Sequence, residues 1–329
     1  MDTPRPFISV VTPVYKAEAC LAELCRRLIA TLEPLTRDFE IIMVEDSSPD
    51  RSWATMVPLM AADPRCKGVR LARNCGQQYA ITAGLEHASG EWIVVMDCDL
   101  QDQPEEIGKL YRTAVEGGFD VVFGRRVERQ DTWLKRMSSK CFYAVYNYFT
   151  DSRFDSSVAE FSISRRAVIA EFLRLKEHSR SFALFIRWLG FPIGYADVAH
   201  AERFAGKTSY TLAKLFHHSA ESFISQSNKP LYLSIAFGFF LALGAFLVAL
   251  FFFVEYFWLG RTVEGWTSTI VSLCFLSGVI LMNQGVHGLY LGRVFNEVKN
   301  RPLYVVRERV NLPSRPGAGP RPWGRSRFS

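Results

Sequence analysis

The chain has 329 residues, 49% of them apolar, and its 39 basic against 33 acidic side chains give a formal net charge of +6. That length allows one substantial globular domain and something more, and the composition excludes a collagen, a disordered chain or a minimal disulfide scaffold. The basic excess is modest and gathers around apolar segments late in the chain, which points to anionic lipid and not to nucleic acid as a partner.

Met1–Pro6 leads directly into an apolar run, so no cleaved secretory signal is expected. From there strand-like and helix-like patterns alternate. Strands are expected at Phe7–Val14, Phe39–Val44, Gly68–Leu71, Trp92–Met96 and Val121–Phe123, and helices at Ala19–Leu32, Asp50–Ala62, Gln77–Ala88 and Pro104–Glu116. This rhythm predicts an α/β fold with a mostly parallel sheet, and helices on both faces explain why the strands are apolar throughout. Two stretches rich in aromatic and polar residues follow, Trp133–Phe149 and Tyr210–Phe223. Each suits either a membrane surface or packing onto the sheet or a neighbouring subunit.

Charge then nearly vanishes. Leu231–Val254 and Thr269–Leu291 each reach the ~20 residues that a helix needs to cross a bilayer. The first has no polar face, which argues against a core helix of a soluble protein. Lys207, Lys214 and Lys229 precede the pair and Arg293, Lys299, Arg301, Arg307 and Arg309 follow it, so both ends are expected on the cytoplasmic side. The expected divisions are a cytoplasmic catalytic domain over 1–229, a transmembrane hairpin over 230–292 and a basic segment over 293–329, disordered after about 313. Asn283, Gln284 and His287 inside the second span, with Gly288 and Gly292 spaced as GxxxG, lead us to expect a homo-oligomer. Cys20, Cys25, Cys66, Cys75, Cys98, Cys141 and Cys274 form no CxxC pair and have no histidine at ligand spacing, so reduced thiols without zinc are expected. His217 and His218 read as surface residues.

Each expected strand ends in polar residues unlike its body: Tyr15 and Glu18, Glu45 and Asp46, Arg73 and Asn74, Asp97 and Asp99, and Arg125. Ligands of open parallel sheets bind beyond the carboxyl ends of the strands, so these residues converge on one crevice. Ser47, Ser48 and Asp50 read instead as caps of the helix that follows. In Asp97-Cys98-Asp99-Leu100-Gln101-Asp102, two carboxylates two residues apart and an amide oxygen two further on can meet at a hard divalent ion, Mg²⁺ or Mn²⁺. Such an ion would neutralise charge on a departing nucleoside diphosphate.

Five motifs carry a resemblance: Pro13–Glu18 (PVYKAE), Val44–Asp50 (VEDSSPD), Ala72–Gln77 (ARNCGQ), Met96–Glu105 (MDCDLQDQPE) and Arg203–Tyr210 (RFAGKTSY). With Tyr290–Val306 after the spans, they resemble the GT-A-fold glycosyltransferases of family 2. More narrowly they resemble the polyprenyl-phosphate glycosyltransferases, a subgroup similar to dolichol-phosphate mannose synthase and the bacterial undecaprenyl-phosphate sugar transferases. The resemblance implies an inverting, metal-dependent enzyme of the bacterial inner membrane. Such an enzyme moves a sugar from a nucleoside-diphosphate sugar, uridine-linked, to polyprenyl phosphate at the cytoplasmic leaflet.

It further implies that Pro13, Tyr15, Glu18, Arg73 and Asn74 line the nucleotide-sugar pocket and that Asp46 receives the base. Asp97 faces the ribose and metal region, Asp97, Asp99 and Gln101 hold the metal, and Arg125 and Arg129 face phosphates. Arg129 with Arg203, Lys207 and Ser209 takes the lipid phosphate. Three departures stand out: Lys16-Ala17 for Asn-Glu, Glu45-Asp46 for Asp-Asp, and Ala159-Glu160-Phe161-Ser162 for Gly-Asp-Phe-Arg. Glu160 is therefore either a catalytic base, a residue that positions the acceptor, or an ion-pair partner of Arg165 or Arg166, with Asp155 as its rival. Two other readings share parts of the pattern. A processive polysaccharide synthase would need more spans and a Gln-x-x-Arg-Trp motif, for which Leu184–Trp188 lacks the glutamine. A catalytically silent membrane adaptor would account for the changes at Glu160 and Ser162.

Overall fold

The computed structural model describes residues 7–126, 158–199, 201, 229–259 and 265–312. Eight described strands form one sheet: β1 (Ile8–Val14), β2 (Phe39–Glu45), β3 (Cys66–Leu71), β4 (Trp92–Val95), β5 (Val121–Arg126), β6 (Val158–Arg165), β7 (Ile193–Val198) and β8 (Val306–Val310). Their order is β7-β5-β6-β4-β1-β2-β3-β8. The four central strands β4, β1, β2 and β3 are mutually parallel, as the alternating pattern predicts. Beyond them the sheet is mixed. β6 lies antiparallel between β4 and β5, β7 runs parallel to β5, and β8 closes the other edge antiparallel to β3.

Helices cover both faces. α1 (Leu21–Leu32), α2 (Ser52–Ala62) and α4 (Ile107–Gly117) share one core with Val10 and Val14, while α3 (Gln77–His87), α5 (Arg166–Arg174) and α6 (Phe182–Trp188) share the other with Val11. Alternate residues of β1 thus feed opposite cores, which requires its unbroken apolar run. Gly84 lets α3 ride low on the sheet, since a Cβ there would come 2.3 Å from Cγ1 of Val11. That close approach sets the height of the first turn of α3 above the strand ends.

The two apolar stretches fall inside long helices, α7 (Lys229–Leu259) and α8 (Trp266–Val298). Among the described residues one stretch, Leu231–Val248 of α7, is long and apolar enough to cross a membrane, and none of it is buried. The Ser234 hydroxyl of α7 donates to the Asn283 side chain of α8. A groove of roughly 590 Å³ between the two helices is lined by Leu233, Phe237, Leu241, Val279, Ile280 and Val286, among others.

One expectation changes, and two further segments take forms that the sequence pattern leaves open. The fifth strand runs on to Arg126, so Arg125 lies within β5 and not beyond it. Leu184–Trp188 is helical, and Phe185 and Ile186 are buried in the core. The segment after α8 joins the sheet: Ala72 N–H donates to the Val305 carbonyl (2.8 Å), and β8 extends the edge at β3. Trp133–Phe149, Tyr210–Phe223 and the tail after residue 312 lie outside the described residues.

Candidate active site

Four neighbouring strands are each followed, within five residues, by a residue in the left-handed region: Leu100 (φ 60) after β4, Lys16 (53) after β1, Ser47 (49) after β2 and Gly76 (102) after β3. Three of them carry a Cβ, and each such conformation costs about 1–2 kcal/mol. Strain concentrated along one edge of a sheet marks a site whose geometry the fold enforces. The same edge holds the switch in strand order, where β1 leads to β2 on one side and has β4 on the other.

The loops after β1 and β2 are knitted together. Lys16 N–H donates to Ser48 Oγ (2.8 Å), Ala17 N–H to Ser52 Oγ (3.1 Å), Glu18 N–H to Asp50 Oδ2 (3.2 Å), and Arg51 N–H back to Glu18 Oε2 (3.2 Å). Asp50 also accepts from the Ser48 and Ser52 hydroxyls and from Ser52 N–H at the start of α2. Burial works against its charge, but these donors hold its carboxyl below the usual range. The N-cap position of α2 is Arg51, without a side-chain capping bond, and of the three expected caps Asp50 alone accepts from the first helical N–H, that of Ser52. Pro13 is buried in β1, while Tyr15 and Glu18 stand exposed on the rim, the Lys16 ammonium lying 5.5 Å from the centre of the Tyr15 ring.

Asp46 is 3% exposed. Its two oxygens accept from Cys75 N–H and Gly76 N–H, both at 2.7 Å, and its carbonyl accepts from Asn74 Nδ2 at 3.2 Å. Burial pushes its carboxyl up against the pull of these donors. Asp46 and Asn74 thereby bind the β2 end to the loop that leads into α3, with Arg73 exposed beside them.

After β4 burial alternates. Asp97, Asp99 and Gln101 are partly exposed, and Cys98, Leu100 and Asp102 are buried. The two-residue period puts the expected metal ligands on the open side. Gln101 N–H donates to Asp99 Oδ1 (3.1 Å), bracing the turn. Two carboxylates and an amide are an all-oxygen donor set, which fits Mg²⁺ or Mn²⁺ provided that phosphate and water complete the shell. Among the described residues no cluster of three or more His, Cys, Asp or Glu forms a protein-only cage. The Cys98 thiol turns inward and meets that of Cys20.

The register of β4 and β6 ends at the pair Val95–Ser162; Asp97 follows the end of β4, and Glu160 lies two residues before Ser162 on β6. The first two residues of α3 reach both. Gln77 Nε2 donates to Asp97 Oδ1 (2.8 Å) and Glu160 Oε2 (2.9 Å), and Gln78 Nε2 donates to Glu160 Oε1 (2.5 Å). Burial raises the Glu160 carboxyl, and the two glutamines oppose that rise. Arg165 and Arg166 do not pair with Glu160: Arg165 meets Asp120 at 3.2 Å and Arg166 donates to the Ser89 carbonyl. The sequence pattern marks Gln77 and Gln78 only as the start of a helix after Gly76 and gives them no site role. Arg125, on β5 two strands from β4, donates to Asp197 Oδ1 (2.7 Å) on β7. Arg129, Asp155, Arg203, Lys207 and Ser209 lie outside the described residues.

The family model described as glycosyl transferase family 2 matches residues 9–174. The chain is 34% identical over 305 residues to the uncharacterized glycosyltransferase YkcC of Bacillus subtilis, covering 92% of this chain and 94% of that protein. It is 32% identical over 302 residues to the SfII prophage-derived bactoprenol glucosyl transferase of Shigella flexneri, covering 92% and 97%. A solved structure of glucosyl-3-phosphoglycerate synthase from Mycobacterium tuberculosis is similar at 16% identity and a TM-score of 0.48, covering 68% of this chain and 80% of that one.

Proposed function

We propose a substrate pair and a reaction course for this chain, which belongs to glycosyl transferase family 2. It moves a sugar from a nucleoside-diphosphate sugar, uridine-linked, to polyprenyl phosphate at the cytoplasmic face of a membrane. The observation that carries this reading is the pair Asp97 and Asp99 on the open side of the β4 turn, set against Glu160, in a chain that also bears a membrane-length apolar helix. The bactoprenol glucosyl transferase among its relatives supports the lipid acceptor.

In this reading Pro13, Tyr15, Glu18, Asp46, Arg73 and Asn74 form the nucleotide side of the pocket, and Arg125 faces phosphate. Asp97, Asp99 and Gln101 hold Mg²⁺ or Mn²⁺, which would supply Lewis-acid neutralisation of the leaving diphosphate. Glu160 faces the acceptor. A phosphate monoester has a second pKa near ~6, so at neutral pH the acceptor is largely ionised and Glu160 positions it more than it deprotonates it. One phosphate oxygen bonds to the anomeric carbon as the bond to the diphosphate oxygen breaks, which inverts that centre. Arg129, Arg203, Lys207 and Ser209 bind the lipid phosphate. Both α7 and α8 cross the bilayer, with both chain ends cytoplasmic. Open space over Gly278, Gly285, Gly288 and Gly292 supports close approach by a second copy in the membrane.

The test is a panel of labelled UDP- and GDP-sugars given to the purified full chain with Mg²⁺ or Mn²⁺ and polyprenyl phosphate, read by lipid extraction. One donor should give a lipid-soluble sugar, and Asp99→Ala should lower its rate about 10²- to 10³-fold, the usual loss on removing one group that stabilises developing charge. Equal product from both proteins would remove Asp99 from the site.

A further inference from the structure

Asp97 lies two residues past the end of β4 and Glu160 lies on its antiparallel neighbour β6, and one side-chain nitrogen, that of Gln77, reaches both carboxylates. Like charges so placed repel. What lies between them is the side-chain amide of Gln77, whose nitrogen is 2.8 Å from Asp97 Oδ1 and 2.9 Å from Glu160 Oε2. A primary amide nitrogen carries two hydrogens, one for each carboxylate, and the amide oxygen in that place would face two acceptors. The orientation of Gln78 is fixed independently: Phe182 N–H donates to its Oε1 (2.7 Å), which turns its NH₂ group onto Glu160 Oε1. Both glutamines open an eleven-residue helix, α3.

We propose that Gln77 is a positioning residue that holds the donor-side carboxylate Asp97 and the acceptor-side carboxylate Glu160 at one fixed spacing, with Gln78 clamping the second oxygen of Glu160. The assignment of sides rests on the transferase reading above. Donor and acceptor must meet in line, and reacting groups misplaced by an ångström lose rate far more than they lose binding. Gln77 converts the repulsion between the two acids into a pair of charge-assisted hydrogen bonds and sets their separation.

The experiment compares Gln77→Glu, which keeps the shape of the side chain but removes both donors, with Gln77→Met, which removes them without adding charge. Gln77→Glu should lower kcat about 10- to 100-fold, the loss expected of one hydrogen bond to a charged group, while the donor KM stays within about twofold. Gln77→Met should lose less. A thermal unfolding cycle on the full chain in detergent, using Gln77→Glu, Glu160→Gln and the double variant, reads the contact without reference to activity. Gln77→Glu should lower the Tm by about 3 °C or more, and the double variant should recover at least half of that, because carboxylate and amide have exchanged places. A residue that merely fills space would tolerate Gln77→Glu, and its cycle would be additive. Either an unchanged kcat or an additive cycle overturns the proposal. Should the parent chain make no lipid-linked sugar with any donor, the transferase reading falls instead, and the thermal cycle alone decides whether Gln77 holds the two acids.

Discussion

Two carboxylates buried at the end of β2 differ in their partners, and Glu45 Oε2 has no hydrogen bond, only the ion pair with Arg70. Asp46 engages both oxygens with backbone N–H groups. Glu45, 1% exposed, has one oxygen on Ser48 N–H (2.5 Å) and the other 3.3 Å from Arg70 Nε. Burial dominates for Glu45 and pushes its carboxyl up despite these partners. Its folded value lies above its unfolded value of about 4.3, so the stability it contributes is full below that pH and declines as pH rises through the folded value. Glu45→Gln keeps an acceptor for Ser48 N–H and does not titrate. Its Tm relative to the parent should therefore increase between about pH 4 and pH 7, and a decrease over that range would mean that the Arg70 contact outweighs burial. Asp97 and Asp99 lie close in sequence, and the turn after β4 leaves both partly exposed, which their spacing alone could suggest. Gln77 and Gln78 were not legible in this way, since their partner Glu160 lies more than eighty residues away in sequence and is brought to them only by the antiparallel entry of β6.

Strand identity follows local pattern, but strand neighbours do not. The five early strands announce themselves as apolar runs between helical patterns, and their parallel core follows from covering both faces. In β6 the alternation of Glu160, Ser162 and Ser164 with Phe161 and Ile163 suits a half-exposed strand, yet both serines are fully buried between β4 and β5. β8 reads Val-Arg-Glu-Arg-Val, a charged segment that resembles a loop, and its charges are what a sheet edge needs to discourage further pairing. Its far end is fastened by Asn311, whose Nδ2 donates to the carbonyls of Met60 (2.7 Å) and Cys66 (2.9 Å) from a left-handed backbone, φ 57. Asn311→Ala removes both bonds and strains the turn, a loss of about 2 kcal/mol that should lower the Tm by about 4–8 °C. Asn311→Gly keeps the conformation and should lose less. Variants indistinguishable from the parent would show that β8 is held by its ladder alone.

At the scale of the molecule the long helices α7 and α8 follow from hydropathy, α7 alone among the described residues being long and apolar enough to cross a membrane, whereas the attachment of α8 to the sheet domain depends on polar contacts that no period reveals. Glu297, near the end of α8, accepts from His178 N–H (2.8 Å) and lies 3.2 Å from His178 Nδ1, and the Arg301 carbonyl lies 3.1 Å from His178 Nε2. The His178 carbonyl accepts from the Tyr79 hydroxyl (2.5 Å), and Tyr79 follows Gln77 and Gln78 in the first turn of α3. The end of the second proposed span is thus seated two contacts from the side chains that hold Asp97 and Glu160. Exposed ion pairs contribute only about 0–1 kcal/mol, so Glu297→Ala should leave the Tm within about 4 °C of the parent. Its effect should fall on where the membrane presents the acceptor. Transfer to long-chain polyprenyl phosphate in vesicles should drop about tenfold, the equivalent of 1.4 kcal/mol, while transfer to a short, water-soluble prenyl phosphate should be unchanged. Equal losses on both acceptors would mean that Glu297 only supports the fold of the Tyr79–His178 region, and losses on neither would mean that the hairpin and the site work independently.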